Sequence, residues 1–305
     1  MKKVGVFYHP LLEEARLLAA EITDFLRSEV DEVWSNAAWS EDCIAANVPE
    51  TDLLITIGGD GTVLRAARAV VPHDVVLLGV NLGRLGFLTE LRNNEALRRL
   101  PDVLAGKGRA EERSMLHVQV LEGRGGKVVK GEQPFLHALN DVVLGRLSLG
   151  RTILASALIN GHLVADYRAD GVIVATATGS TAYSQSVGGP ILHPEAREFV
   201  LVPLAPHLGQ TNPLVLPTAS VIELVLDERT HRAALSIDGE TGIDIGPGQV
   251  VRITMSPHVA RFLRLPGSPG YYERVAVRLR WRRSFDAEEA RLTEENPPEE
   301  AEHPC

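Results

Sequence analysis

The sequence predicts an α/β N-terminal domain with a parallel sheet, followed by a β-rich antiparallel C-terminal domain. Over the first hundred residues, short β-branched runs alternate with helical patterns, which is typical of parallel strands joined by crossover helices. After about residue 110, extended runs follow one another with turns between them. We therefore expect domains at 1–110 and 111–270, a C-terminal segment at 271–285 and an acidic disordered tail at 286–305.

The N-terminal domain is predicted to hold three buried strands and two helices. Runs of apolar residues predict the strands at 4–8, 52–57 and 75–80. Apolar residues at helical spacing predict a helix over 11–30, and a run rich in leucine, alanine and arginine predicts another over 63–70.

The C-terminal domain is predicted to be a series of short strands joined by turns. Asn160-Gly161 favours a type I′ hairpin turn, because both central residues of that turn take positive φ, and Asp238-Gly239 is a second predicted hairpin turn. A short helix is predicted over 271–279. The strand candidates are 136–144, 153–159, 163–167, 172–176, 221–226, 233–237 and 250–254.

Composition excludes several classes of protein. With 305 residues, 45% of them hydrophobic and 23% charged, the chain has the composition of a globular protein. No apolar run approaches the ~18 to 20 residues of a spanning helix, so we expect a cytoplasmic protein with no membrane partner. The two cysteines, Cys43 and Cys305, are too few for a disulfide framework or a four-cysteine zinc site.

The net charge of −9 is concentrated at the C-terminus. Residues 286–305 hold eight acidic residues and one arginine, a local charge of −7, so the other 285 residues carry only −2. A near-neutral body lacks the positive field of a nucleic-acid binder, and we expect no nucleic-acid partner. The acidic, proline-containing tail is typical of a disordered, solubilising segment.

Residues 58–62, Gly-Gly-Asp-Gly-Thr, form a turn between a predicted strand and a predicted helix. Ligands bind at this end of a parallel sheet, and glycines there let backbone amides approach a phosphate. Asp60 is unexpected beside a phosphate, so it points to Mg²⁺ binding or to acceptance of a proton from an attacking hydroxyl. A tight turn with Thr62 as helix cap is the alternative without function.

Two further groups of polar residues follow. Six of the nine residues at 176–184 carry a hydroxyl, and with Tyr183 to stack on a base they suit a nucleoside pocket, or else a polar surface loop. Asn140-Asp141 interrupts an apolar run, where buried polar groups need partners. A sugar or base is one such partner, and a bulge or edge-strand position is the explanation without function.

In their order along the chain, these motifs resemble the bacterial NAD kinase family over about residues 1–280. The resemblance implies transfer of the γ-phosphoryl group of ATP, or of inorganic polyphosphate, to the 2′-hydroxyl of the adenosine ribose of NAD, with Mg²⁺ accompanying ATP. It also implies that NAD binds in the cleft between the N-terminal and C-terminal domains. A homodimer or homotetramer is a further implication of the resemblance. The motifs are residues 58–62, 81–89 (Asn-Leu-Gly-Arg-Leu-Gly-Phe-Leu-Thr), 140–141, 170–171 (Asp-Gly) and 178–183 (Thr-Gly-Ser-Thr-Ala-Tyr).

The resemblance also implies roles for individual residues. Asp60 would orient or deprotonate the acceptor hydroxyl, and Asp238 would lie toward the nicotinamide end of NAD. No metal-binding side chain is predicted. The donor phosphates would be cradled by Gly58, Gly59, Gly61 and Thr62, and NAD would be lined by Asp60, Gly61, Phe87, Asn140, Asp141, Asp170, Thr181, Ala182, Tyr183, Ser186 and Asp238.

Two other functions remain open on the sequence. A Gly-Gly-Asp-Gly turn also occurs in diacylglycerol and sphingosine kinases, but the sequence shows no basic amphipathic helix to support a lipid kinase at a membrane surface. A sensor that binds NAD or NADP without turnover is the second alternative, against which the acid at position 60 argues.

Overall fold

The computed structural model describes residues 1–38, 44, 46–83, 86–129, 136–148, 151–207 and 211–279. The tail predicted at 286–305 lies outside the described residues, as do positions 84 and 85 of the 81–89 motif. Met1–Pro266 forms one compact unit, and the residues from Gly267 onward form a second.

The first unit combines two sheets with helices. The strands are β1 (Lys3–Tyr8), β2 (Glu32–Ala37), β3 (Leu53–Ile57), β4 (Val76–Asn81), β5 (Leu91–Arg92), β6 (Arg109–Leu121), β7 (Leu136–Ala138), β8 (Asp141–Arg146), β9 (Ile153–Ile159), β10 (His162–Ala169), β11 (Gly171–Thr176), β12 (Phe199–Leu204), β13 (Leu214–Leu216), β14 (Ile222–Leu226), β15 (Ala233–Ile237), β16 (Glu240–Ile245) and β17 (Val250–Arg264). The helices are α1 (Glu13–Leu26), α2 (Asp60–Ala69), α3 (Asn93–Leu104) and α4 (Tyr183–Ser186), with a 3₁₀ turn at Gly179–Thr181.

The predicted fold class is confirmed. In the described part of the chain, the mixed sheet has eleven strands. Eight follow the path β10-β9-β14-β17-β4-β3-β1-β2, and off this path β5 pairs with β4, β6 with β17 and β7 with β6. Strands β2, β1, β3 and β4 are parallel neighbours. A separate six-stranded sheet is antiparallel throughout, in the order β13-β12-β11-β8-β15-β16.

Helices cover both faces of the parallel strands. Successive strand residues point to opposite faces, so these apolar strands present side chains that need burial on both sides. On one face, α1 buries Leu18 and Ile22, two residues of the predicted apolar stripe. On the other face, α2 buries Val63 and Ala66 in a cluster that also contains Leu139 from the C-terminal half. The segment before Asn140 is therefore packed with the helix that begins at Asp60.

β17 joins the two halves of the mixed sheet. Its first residues pair with β14 in antiparallel fashion, whereas Arg261 and Phe262 pair in parallel with Val76 and Leu77 of β4. The strand predicted only over 250–254 therefore continues to Arg264 and completes the N-terminal parallel sheet.

Some elements differ from the predictions. The helix predicted over 63–70 begins at Asp60, because Gly59 in an extended conformation is its N-cap. The strand predicted over 136–144 is interrupted at residues 139–140, between β7 and β8. No prediction from the sequence covers β2, β5, β6, β12, β13, β16 or α3, several of which carry charges or proline that obscure the pattern.

In the second unit, the described residues include α5 (Tyr271–Arg278), the short helix that the sequence predicts there. Within the described ranges, no helix is long and apolar enough to cross a lipid bilayer.

Candidate active site

Asp60 is the first residue of α2 and follows β3 after two glycines. Its Oδ2 accepts a hydrogen bond from the backbone N–H of Phe87 (3.0 Å), and its Oδ1 accepts one from Leu88 (3.2 Å). A negative charge in the first turn of a helix is also favoured by the helix dipole. The carboxylate is therefore held in one orientation at the carboxyl end of the parallel strands.

Gly86 makes this arrangement possible. A Cβ at residue 86 would lie 1.9 Å from Oδ1 of Asp60, so any side chain there would displace the carboxylate. The Gly86 N–H donates to Oγ1 of Thr89 at 2.7 Å, which fixes the start of the loop. Gly86 belongs to the 81–89 motif but was not predicted as a site residue.

The glycines beside Asp60 have different surroundings. A Cβ at Gly58 would lie 2.3 Å from Oγ1 of Thr62, whereas a Cβ at Gly59 or Gly61 would meet no atom of the described residues within 4 Å. Gly59 and Gly61 are exposed and thus border open space at the N-terminus of α2, where an anion is favoured. The Thr62 hydroxyl is instead buried, and it has no hydrogen-bond partner among the described residues.

Asp238 holds the chain at the break between β7 and β8. Its side chain is fully buried, and its carboxylate accepts backbone N–H hydrogen bonds from Leu139 (2.9 Å), Asn140 (2.7 Å) and Asp141 (3.2 Å). Asp238 has a φ of 51° and Gly239 a φ of 80°, which fits the predicted hairpin turn. The carboxylate expected toward the nicotinamide end thus has a structural partner, the backbone at 139–141.

Arg68 connects α2 to the same region. Its Nη1 donates to the carbonyl oxygen of Ile237 at 3.0 Å and lies 3.9 Å from Oδ2 of Asp238. Its Nη2 forms an ion pair with Glu240. The helix that carries Asp60 is therefore tied to the turn that positions Asn140 and Asp141.

Asp141 is a buried acid with an altered acidity. Its residue is 5% exposed, and burial, assisted by the negative charge of Asp238, raises the pKa of Asp141 to about 7. No described group donates a hydrogen bond to its carboxylate, although buried carboxylates ordinarily have donors. The protonated and ionised forms of Asp141 are therefore both accessible near neutral pH.

The hydroxyl-rich loop packs directly on this segment. A Cβ at Gly179 would lie 2.0 Å from the carbonyl oxygen of Asn140, and Thr176 donates its hydroxyl to the carbonyl oxygen of Leu139 at 2.6 Å. Ser180 donates its hydroxyl to the carbonyl oxygen of Ala177 at 2.6 Å, so Thr176 and Ser180 stabilise the loop itself. The structure thereby brings two predicted motifs into contact.

The end of the loop is more accessible. Tyr183 is 42% exposed at the start of α4, and Ser186 is exposed at its end. Thr181 and Ala182 are half-buried, as is Phe87 beside Asp60. These side chains are available to contact a ligand from different sides.

Asp170 lies apart from the other predicted residues. It precedes β11, whereas the hydroxyl-rich loop follows that strand, and Ala175 rather than Gly171 is opposite Asp141. Five residues of strand separate these points by about 17 Å. Asp170 forms an ion pair with Arg146 at 3.1 Å.

A cavity of about 1140 Å³ lies between α2 and the strands β6, β7, β15 and β16. Its described lining includes Arg65, Arg68, Glu240 and the neighbouring histidines His117 and His137, but none of the predicted site residues. The cavity adjoins the candidate site at Ile237, so its volume does not measure the space beside Asp60.

Two family models match most of the chain. Residues 4–108 match the ATP-NAD kinase N-terminal domain, and residues 139–265 match the ATP-NAD kinase C-terminal domain. The chain belongs to the NAD kinase family. The resemblance carried by the motifs is thereby confirmed, and NAD kinase activity is the function that membership of the family supports.

Relatives in the NAD kinase family match over nearly their whole length. An NAD kinase of Dehalococcoides mccartyi (strain CBDB1) is 40% identical over 279 residues, which cover 92% of this chain and 96% of the relative. An NAD kinase of Aromatoleum aromaticum (strain DSM 19018 / LMG 30748 / EbN1) is 40% identical over 289 residues, covering 91% and 92% respectively.

Two solved structures share the fold. Yeast NADH kinase complexed with NADH has a TM-score of 0.80 at 23% identity, with 93% of this chain and 89% of that chain covered. An NAD kinase from Archaeoglobus fulgidus in complex with ATP has a TM-score of 0.68 at 26% identity, with 87% and 94% covered.

Proposed function

We propose that this chain transfers the γ-phosphoryl group of ATP to the 2′-hydroxyl of the adenosine ribose of NAD, giving NADP and ADP. The observation that carries the proposal is the Asp60 carboxylate, oriented by two backbone N–H groups beside open space at Gly59 and Gly61. An acceptor hydroxyl and a phosphate donor can meet at this point.

Asp60 orients the acceptor hydroxyl and accepts its proton as the new O–P bond forms. The hydroxyl oxygen attacks the γ-phosphorus, the bond from that phosphorus to the β,γ-bridging oxygen breaks, and ADP leaves. Because phosphoryl transfer depends mainly on alignment and charge stabilisation, the fixed orientation of Asp60 matters more than strong basicity. The backbone amides of Gly59 and Gly61, at the N-terminus of α2, bind the donor phosphates.

NAD is placed by the segment at 139–141 and the hydroxyl-rich loop. The Asn140 amide and the Asp141 carboxyl group provide hydrogen bonds to a base or a sugar. Tyr183 supplies an exposed ring for stacking, with Thr181, Ala182, Phe87 and Ser186 lining the pocket. Asp238 contributes by fixing the backbone at 139–141.

Mg²⁺ fits as an ion carried by the nucleotide. The described residues include no group of three or more His, Cys, Asp or Glu that could hold a metal ion. Mg²⁺ commonly keeps several waters and binds substrate phosphates with one or two carboxylates, and Asp60 is a carboxylate available at the phosphate end. When bound, the ion neutralises charge on the donor phosphates.

The position of Asp170, away from the other predicted site residues, supports the proposal of a homo-oligomer. Within one chain Asp170 lies about 17 Å along β11 from the point opposite Asp141, apart from the other residues proposed to hold NAD. We propose a homodimer or homotetramer in the cytoplasm, with Asp170 lining the site of a neighbouring subunit.

The test is to incubate the purified chain with NAD, ATP and Mg²⁺ and to quantify NADP with an NADP-specific dehydrogenase. We expect NADP from the wild type and a loss of most turnover in Asp60→Asn, with NAD binding retained in calorimetry. Parallel reactions with polyphosphate, and with NADH as acceptor, define donor and acceptor. If the chain binds NAD but forms no NADP with any donor, the proposed kinase activity is wrong and the non-catalytic sensor becomes the proposed function.

A further inference from the structure

Four charged side chains are buried together beside the candidate site. Glu90 follows the loop whose amides bind the Asp60 carboxylate. Two of the others, Glu111 and Arg113, lie on β6, and Arg264 is the last residue of β17. Their side chains are only 1% to 8% exposed. We call these four residues the buried charge cluster.

The buried charge cluster is a continuous chain of ion pairs. Nη1 of Arg264 lies 3.0 Å from Oε2 of Glu90, and Nη2 of Arg264 lies 3.1 Å from Oε1 of Glu111. The same Glu111 oxygen lies 2.5 Å from Nη2 of Arg113. Burial opposes ionisation of Glu111, but Arg113 and Arg264 outweigh it and lower the pKa of Glu111 to about 2.

Stability alone is a weak reason for such a cluster. Desolvation of buried charges offsets most of their attraction, and well-packed apolar residues can stabilise a fold equally well. The Phe262 ring packs against both guanidinium groups, 5.7 Å from Cζ of Arg113 and 5.6 Å from Cζ of Arg264, which favours both cations at these positions. The cluster therefore serves to fix the relative positions of the segments that carry its four side chains.

One end of the cluster holds the loop over Asp60. Oε1 of Glu90 accepts the backbone N–H of Leu265 at 2.8 Å, which anchors Glu90 to the end of β17. The preceding residue, Thr89, accepts the N–H of Gly86 at 2.7 Å. Between these two anchors lie Phe87 and Leu88, whose N–H groups orient Asp60.

The other end holds the hydroxyl-rich loop. Nη1 of Arg113 donates to Oγ1 of Thr178 at 3.3 Å. Thr178 immediately precedes the 3₁₀ turn at Gly179–Thr181, which packs on Asn140. Each link from Thr178 to the loop at 86–88 is thus a direct contact.

We propose that Arg113 and Glu90 are positioning residues that hold the loop at 86–88, which orients Asp60, at a fixed position relative to the hydroxyl-rich loop. The inference rests on the proposed function, because the benefit is alignment of the acceptor hydroxyl with Asp60. Neither residue touches the reacting atoms in this mechanism. Both act through backbone that does.

The experiment compares Arg113→Lys and Arg113→Met with the matched control Arg252→Met. Arg252 also pairs with a glutamate in the mixed sheet, Glu223 at 2.7 Å, but on the β14 side of β17. We expect Arg113→Met to lower kcat by about 10- to 100-fold with a smaller change in KM for NAD, and Arg113→Lys to recover part of the loss. Arg252→Met should keep the wild-type kcat.

Two readouts separate positioning from a merely structural role. Amide hydrogen exchange of the peptide covering 86–90 should accelerate in Arg113→Met and should be unchanged in Arg252→Met. In an Asp60→Asn background, Arg113→Lys should change the residual kcat by less than about twofold, because its effect passes through Asp60.

Either a wild-type kcat or wild-type exchange at 86–90 in folded Arg113→Met overturns the proposal. If Arg113→Met does not fold, the same measurements on Arg113→Lys decide it. Hydrogen exchange needs no substrate, so it tests the link between Arg113 and the loop at 86–88 even if the wild type makes no NADP. Absence of NADP would reject the proposed function, whereas unchanged exchange would reject the positioning role.

Discussion

Gly86 lies so close to Asp60 that a Cβ at residue 86 would come within 1.9 Å of the aspartate Oδ1. The loop that carries Gly86 donates two backbone hydrogen bonds to the same carboxylate. The absence of a side chain at one position and the orientation of an acid 26 residues away are therefore a single structural requirement.

Gly86→Ala should move the Asp60 carboxylate or the loop, because the two cannot occupy their present positions with a methyl group between them. We expect kcat for NADP formation to fall by at least about 100-fold, the scale of misplacing a reacting group by 1 Å. Gly83→Ala is the matched control in the same loop, since among the described residues its Cβ would meet only Oδ1 of Asn81, at 3.8 Å. Equal kinetics of the two variants would contradict the role assigned to Gly86.

Gly61→Ala should fold normally and bind nucleotide poorly. A Cβ at Gly61 meets no atom within 4 Å in the part of the chain that the structure describes, and alanine is favoured over glycine within a helix by up to about 1 kcal/mol. We expect an unchanged or raised Tm but about a tenfold higher KM for ATP, because the methyl group enters the space proposed for phosphates. Gly242→Ala, also in open space, should change neither quantity. A wild-type KM for ATP in Gly61→Ala would place the phosphates elsewhere.

The acidity of Asp141 should make stability depend on pH. Because its folded-state pKa of about 7 exceeds the ordinary 3.8, the folded state binds the proton more tightly. The stabilisation is complete below about pH 4 and is lost as the pH rises through about 7, on the order of 4 kcal/mol in total.

Denaturant titrations of wild type and Asp141→Asn between pH 4 and pH 8 would measure this contribution by difference, which removes the contributions of other titrating groups. The free energy of unfolding of the wild type should fall with pH relative to that of the variant. A constant difference across the range would show that Asp141 titrates normally.

Asp238→Asn should loosen the chain at 139–141. The amide cannot match a carboxylate that accepts three backbone hydrogen bonds, and we expect a loss of about 2 to 4 kcal/mol in the free energy of unfolding. Removing this charge should also lower the pKa of Asp141. Asp244→Asn is the control, because Asp244 forms an exposed ion pair with Arg232, and such pairs contribute little. Similar losses in both variants would refute the structural role of Asp238.

Local patterns in the sequence predicted much of the fold. Near-continuous apolar runs identified the buried parallel strands, and Asn160-Gly161 identified a hairpin turn whose φ angles are 51° and 81°. These features depend on neighbouring residues, so one sequence contains them. β6 was missed because Arg109, Glu111 and Arg113 give its first half a polar character, although the last two side chains are buried in ion pairs.

The candidate site was predictable as a set of motifs but not as a geometry. Asp60 and Asn140-Asp141 stood out because charged or polar residues interrupted glycine-rich or apolar segments. The partners of these residues are distant in sequence: Asp238 reaches back about 100 positions to the 139–141 backbone, and Arg264 reaches Glu90. Such pairings depend on the folded topology and leave no local pattern.

The last third of β17 has a consequence for synthesis on the ribosome. β4 obtains its neighbours Arg261 and Phe262 only after more than 180 further residues have been translated. Until then, the β4 edge of the nascent parallel sheet is paired by β5 at Val80 and Asn81 but not by β17 at Val76 and Leu77, and an incompletely paired edge is a site for aggregation. The sheet that carries Asp60 therefore cannot be completed while the N-terminal segment is the only part of the chain outside the exit tunnel. A fragment that ends near residue 108 should need a chaperone, or the missing strand added as a separate peptide, to stay in solution.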